Sequence, residues 1–186
     1  MKLFRFLAFL CLVLAISTVA VAAEKGGVTM PNTKTVEGKS LVLNGMGLRE
    51  ATVFNVDVYA AGLYLESKSQ DGKAIAASDQ TKQLILHFVR DVDKDDIVGA
   101  WNEGFKKNGG ADQSKINQLN GWMSDMKDGE EMYFNFKKDG DMKVIVSVKG
   151  STKGTISGND FARVFLLIWL GDHPPNTGLR EGLLGK

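Results

Sequence analysis

Cysteine is almost absent: the 186-residue chain has one, Cys11. A lone thiol forms no internal disulfide framework and no thiolate-rich zinc site. Histidine is nearly as scarce, with only His87 and His173, each isolated in sequence. A surplus of positive charge is also missing. With 23 basic residues against 22 acidic ones, no excess of Lys and Arg is available to displace counterions from a polyanion, so nucleic acid is not an expected partner. What is present is a globular composition. Hydrophobic residues make up 44% of the chain, charged residues 24%, and there are ten Phe, which argues against wholesale disorder. At this length one compact domain is the default, burying about 70% of the unfolded chain's surface.

The N-terminus is built differently from the rest. Residues 1–5 carry Lys2 and Arg5, residues 6–16 are an apolar run, and residues 17–23 are small and weakly polar. Ala20-Val21-Ala22 and Val21-Ala22-Ala23 both place small residues where a signal peptidase reads. The 18 residues from Phe6 to Ala23 barely reach the length of a membrane span. Residues 1–23 are therefore read as a signal peptide rather than a retained anchor, and the protein as periplasmic or secreted. Cys11 lies too early, inside the apolar run, to be a lipoprotein attachment site. Cleavage would remove Cys11, Lys2 and Arg5 but no acid, leaving a thiol-free chain whose formal charge is −1 instead of +1. Residues 24–35 read as a flexible leader and 36–186 as the folded domain, with no internal repeat or second-domain linker.

Strand patterns occupy 39–43 and 52–65, separated by Asn44-Gly45, a turn dipeptide. In the second, Phe54, Val56 and Val58 alternate with Val53, Asn55, Asp57 and Tyr59, and Gly62 marks a bulge or a close backbone approach. A further strand covers 82–89. Carboxylates at 91–96 then cap a helix running to Lys107, with Ile97, Ala100, Trp101 and Phe105 as its apolar stripe. A second helix is expected over 114–127, with Ile116, Leu119, Met123 and Met126 at helical spacing. Strands at 131–137, 142–149 and 150–157 follow, the first two joined by a hairpin at Lys138-Asp139-Gly140-Asp141. A strongly apolar helix over 161–170 and a short one over 178–184 end the chain. This order predicts an α+β fold, an antiparallel sheet covered by a helical layer.

Most site chemistry finds no support. Asp91, Asp93 and Asp95 imitate the start of a calcium loop, but Asp96 stands where that loop requires Gly and Asn102 where it requires Glu; helix capping accounts for them better. His87 reads as a core or edge residue of a strand, and His173 as a partner for the last carbonyls of a helix. Gly45-Met46-Gly47 lacks the continuation of a nucleotide loop, no Walker-type Lys follows any glycine, and no Ser sits in a nucleophile elbow. No metal and no cofactor is expected. What remains is Arg49 at the mouth of the long strand and Tyr59 along the same ribbon. A planar guanidinium fork and a phenol together clamp a carboxylate, although an Arg beside a turn is more often merely solvated.

Leu43-Asn44-Gly45-Met46-Gly47-Leu48-Arg49, followed by Val58-Tyr59-Ala60-Ala61-Gly62-Leu63-Tyr64-Leu65, resembles the opening of the chalcone isomerase-like family. The helix opening at Asp95 and Asp96 and carrying Trp101, and the ending Ile168-Trp169-Leu170-Gly171-Asp172-His173-Pro174, resemble its bacterial secreted branch. The resemblance covers about 35–186 and implies an open-faced β-sandwich. In the true isomerases an Arg steadies the developing negative charge as a chalcone cyclises to a flavanone, and Arg49 matches it. The family's active-site Thr falls on Tyr59. An Arg and a Tyr at these places resemble the branch that binds fatty acids without catalysis, where they hold the carboxylate. The catalytic Tyr and Asn of the isomerases have no counterpart in 90–99.

The resemblance thus implies a secreted, non-catalytic protein binding a fatty acid or similar amphipathic carboxylate, fatty or aromatic, through Arg49 and Tyr59. Two alternatives stand beside it: an envelope interaction module with a closed core, filled by residues 161–170, Trp101 and Trp122, or an intramolecular lyase acting on a phenolic enone with Arg49 as its catalytic group.

Overall fold

The computed structural model describes residues 22–51 and 56–186. Cys11 and nearly all of the expected signal peptide lie outside the described residues, as do Val53, Phe54 and Asn55 at the start of the strand expected over 52–65. The chain runs β1 (Ala22–Lys25), β2 (Val28–Pro31), β3 (Thr33–Val36), β4 (Lys39–Ala51), β5 (Val56–Leu65), α1 (Gly72–Ala77), β6 (Lys82–Phe88), α2 (Lys94–Lys107) and α3 (Gln113–Gly121). It continues through β7 (Glu131–Asp139), β8 (Asp141–Val148), β9 (Ser151–Ser157), α4 (Asn159–Leu170) and α5 (Thr177–Leu183). Strands β3 to β9 form a seven-stranded sheet in sequence order, every neighbour antiparallel. This is the α+β arrangement, an antiparallel sheet with a helical layer, that the order of elements predicted, and it fits the open-faced sandwich that the resemblance implied.

Alternation sets the buried face. Met132, Phe134 and Phe136 of β7, with Met142, Val144, Val146 and Val148 of β8, point toward the helical layer. The hairpin between them turns at Gly140, whose φ of 68° suits a residue without a side chain. On the helical side, α4 is buried almost along its whole length. Its Phe165 lies at the centre of an aromatic cluster, with ring centroids 5.0 Å from Phe134, 5.2 Å from Trp169 and 5.8 Å from Trp101. Edge-to-face contacts of this kind add about 0.5–1.5 kcal/mol per pair beyond the area they bury. The space between sheet and helices, a candidate ligand chamber, is therefore filled at its centre.

The sequence expectations need correction in five places. Asn44-Gly45 makes no turn. Both lie inside β4, a single strand of 13 residues, and the register irregularity falls between Leu43 and Gly45. Asn44 leaves the ladder to donate to Leu183 O at 2.8 Å and Ser69 O at 2.9 Å, while its own Oδ1 accepts from Ser69 N at 2.9 Å. The glycines beside it are needed for approach rather than for turning: a Cβ on Gly45 would collide with the Gly182 carbonyl, and one on Gly47 with the Leu179 carbonyl. Helix α5 lies with its backbone directly on β4.

Second, residues 24–35 are not a loose leader. Strands β1 and β2 pair with each other, β3 pairs with β4, and Val28 and Met30 are buried in a smaller core on the outer face of the sheet. Third, of the two readings of Gly62, the bulge fails and the close approach holds. Gly62 keeps regular partners in both neighbouring strands and makes room for Met30. Fourth, the alternation read at Val56 and Val58 does not continue as a one-sided burial pattern along β5, although Val58 is partly buried against the main core. Val56 is 38% exposed, whereas Tyr59 to Leu65 are all buried, because helices cover one side of β5 and the β1–β2 hairpin the other. Fifth, α3 ends at Gly121 rather than at 127. Met126 instead exchanges two backbone hydrogen bonds of 2.8 Å with Val92, and both Met123 and Met126 still reach the core.

Candidate functional site

Arg49 and Tyr59 are direct partners across the β4–β5 ladder, so their side chains share the face that looks toward the helices. The ladder shifts register immediately afterwards, between Arg49 and Glu50. Arg49 is half-buried, and one of its terminal nitrogens donates to Glu50 O. Tyr59 is 8% exposed, with its ring 5.6 Å from that of Phe88. Its hydroxyl accepts a hydrogen bond of 3.0 Å from the indole Nε1 of Trp169, a residue with no exposed surface. Burial pushes the phenol up to about 12, against the smaller pull of the Trp169 bond and the Arg49 charge. The hydroxyl therefore keeps its proton at neutral pH, and among the described residues that proton has no acceptor.

A cleft of about 150 Å³ opens over this pair. Helix α2 gives Ala100, Trp101, Glu103, Gly104 and Lys107 to its wall, with Glu103 neutralised by Lys107 at 2.6 Å, the end of α4 gives Ile168 and Trp169, and the following loop gives His173, Pro174 and Pro175. Two long-range bonds seat that loop: Asn176 Nδ2 donates to Leu48 O at 3.1 Å, and Arg180 Nε to Leu170 O at 3.1 Å. A second cleft, of about 410 Å³, meets the first at Arg49, Ala100 and Trp101. Its interior is apolar, formed by Val58, Phe88, Val92 and Ile97, and its rim carries Arg90, Asp91, Asp93 and Asp96. Chemically, the first cleft offers a cation and a neutral phenolic donor beneath aromatic and proline walls, an arrangement that holds an anion with an apolar body.

The two residues singled out in the sequence thus lie together at the floor of a cleft. His173, expected to serve only a helix end, also reaches its rim. His87 does not: on the outer face of the sheet, its Nδ1 stands 2.9 Å from Glu131 Oε1. Asp91 binds Lys127 Nζ at 2.8 Å, and Asp93 occupies the N-cap position of α2 without a side-chain cap bond; the capping expected of these carboxylates is supplied instead by Asp125, whose Oδ1 accepts from Lys94 N at 2.9 Å. No cluster of three or more His, Cys, Asp or Glu able to hold a metal occurs among the described residues. Trp122 packs against Gly154 of β9 instead of filling the cleft. Sequence reasoning missed Trp169 as a site residue. Its place near the end of an apolar helix was visible, but its bond to Tyr59 spans 110 residues and left no local signal.

The family model for chalcone isomerase-like proteins matches residues 22–185 of this chain. Among solved structures, the chain is similar to the crystal structure of a fatty-acid-binding protein of Arabidopsis thaliana, AtFAP1. The TM-score is 0.68 and the identity 20%, over 88% of this chain and 96% of that one. A search of curated proteins found no match. At this identity the structural likeness speaks to the fold, a curled seven-stranded antiparallel sheet backed by helices.

Proposed function

The chain belongs to the chalcone isomerase-like family, and from that premise we propose that it is a non-catalytic binding protein for an amphipathic carboxylate, with fatty acids as the first class to test. The observation that carries this reading is the Tyr59 hydroxyl. Its acceptor side is engaged by Trp169, its proton is unshared among the described residues, and Arg49 stands beside it across the ladder. A carboxylate placed there takes two parallel bonds from the guanidinium and one from the phenol, each charge-assisted bond worth about 1.5–3 kcal/mol. The apolar body then rests on Trp101 and the proline walls, each buried methylene contributing about 0.8 kcal/mol. The stretch 90–99 contributes carboxylates, an Arg and apolar groups to the neighbouring cleft but neither a phenol nor an amide, which weighs against isomerase chemistry.

Purification of the full chain without denaturant, followed by mass spectrometry and calorimetric titration with fatty acids, tests the reading. A bound acid is expected, and Arg49→Ala should weaken it by about 150-fold or more, the loss of two charge-assisted bonds. An empty protein that takes up no acid in titration overturns it. That result would favour an envelope interaction module, the reading supported by the aromatic cluster filling the centre of the fold. Delivery to the periplasm or outside the cell is part of the same proposal and rests on the basic, apolar and small-residue pattern of residues 1–23.

A further inference from the structure

We infer that the acid held by Arg49 and Tyr59 is a small one, a single-ring aromatic carboxylate or an aliphatic acid of similar size, and that Trp101 sets this limit. The inference rests on the carboxylate reading above and narrows it. Tyr59 lines only the smaller cleft, so an acid held by both anchors lies there. Its volume, about 150 Å³, equals that of an engineered protein cavity that accommodates benzene. Much of the apolar wall is made of rings, the indoles of Trp101 and Trp169 and those of Pro174 and Pro175, with Ile168 beside them; the Glu103–Lys107 ion pair and His173 complete the lining. Rigid ring surfaces of this kind suit a planar ring, which offers them edge and face contacts without freezing a flexible chain.

Growth of the ligand inward is blocked. The Trp101 ring stands 6.1 Å from that of Trp169 and 5.6 Å from that of Phe134, in edge-on packing that leaves no channel into the space between sheet and helices. Helices α2 and α4 are already in close contact beside the cleft, where a Cβ on Gly104 would lie 2.8 Å from Ile168 Cγ2. Two neighbouring clefts adjoin the small one. The first, of about 410 Å³, meets it at Arg49, Ala100 and Trp101 and carries Asp91, Asp93 and Asp96 on its rim, so a chain extending there passes the Trp101 ring. The second, of about 420 Å³, meets it at Lys107 and His173 and is lined by Lys73, Asn108, Arg163 and Asp172, polar groups that do not favour an alkyl chain.

Calorimetric titration of the full chain with benzoate and with the series butanoate, hexanoate, octanoate and dodecanoate tests this. Affinity is expected to rise about fourfold per methylene while the chain fills the cleft. It should then level off at about six carbons, with benzoate binding at least as tightly as hexanoate and Arg49→Ala weakening both. Trp101→Leu should move the plateau to longer chains, and the wild-type series alone decides the matter if that variant does not fold. A rise continuing through dodecanoate, lost on Arg49→Ala, overturns the size limit and leaves carboxylate binding standing. Absence of binding by every acid overturns both.

Discussion

Two buried titratable side chains, far apart in the sheet, give the protein opposite responses to alkaline pH. Tyr59 is pushed up to about 12 by burial, so folding favours its neutral form. Its contribution to stability is complete below pH 10, the ordinary phenol value, and is lost as pH rises toward 12. Lys82 behaves in the reverse sense. It is buried, its ammonium donates to Ser78 O at 2.6 Å and Gln80 O at 3.0 Å, and burial lowers it to about 8. The unfolded chain therefore binds more protons than the folded one between pH 8 and 10.5, and stability rises with pH across that window. Urea unfolding midpoints are expected to climb from pH 8 to about 10 and to fall beyond it. Lys82→Met should flatten the climb and Tyr59→Phe should soften the fall; midpoints unchanged by either substitution contradict these assignments. Because Tyr59 stays protonated to pH 10, it remains a donor to a carboxylate throughout the neutral range.

Helix α5 and strand β4 are joined by a seam of glycines, and this contact positions one wall of the cleft. Gly47→Ala drives a methyl group into the Leu179 carbonyl and should cost about 1–3 kcal/mol, with a parallel loss of ligand affinity as residues 173–175 lift away. Gly99, an exposed position within α2 with open space where a Cβ would stand, makes the control: Gly99→Ala should stabilise the protein by about 0.5–1 kcal/mol. Thermal unfolding of the two variants separates the outcomes, and destabilisation by both would show that the seam is not special. The seam also explains what was legible in the sequence. Strands whose pattern reflects one buried face, such as β7 and β8, could be read from alternation alone. Asn44-Gly45 could not, because the local turn preference yields to Leu183, 139 residues away, which takes the Asn44 amide. The short strands β2 and β3 escaped notice for a related reason. Their pairing is made by backbone groups, and four residues are too few for a side-chain period to emerge.

At the scale of the molecule, the floor of the site was legible and its walls were not. Arg49 and Tyr59 lie ten positions apart on adjacent strands, within reach of strand reasoning and of a family resemblance. Trp101, Trp169 and the 173–175 loop converge on them from three later elements. Whether the interior was open or closed was equally hidden, since it depends on how Trp101, Phe134, Phe165 and Trp169 interlock. The proposed export carries its own test. Mass analysis of the protein from a periplasmic or extracellular fraction should show a chain beginning at Ala23 or Glu24; full-length chain confined to the cytoplasm would refute it. Either start shortens β1, and a start at Glu24 also removes Ala23 from the edge of the outer core, but both retain β2 and β3 with the buried Val28, Met30 and Val36.

Helix α5 lies late in the chain, closes over β4, which lies early, and carries the loop that completes the cleft. A growing chain accordingly holds an open seam along β4 until α5 has been synthesised. The wall formed by residues 173–175 is therefore a late addition to a floor, Arg49 and Tyr59, that is laid down early.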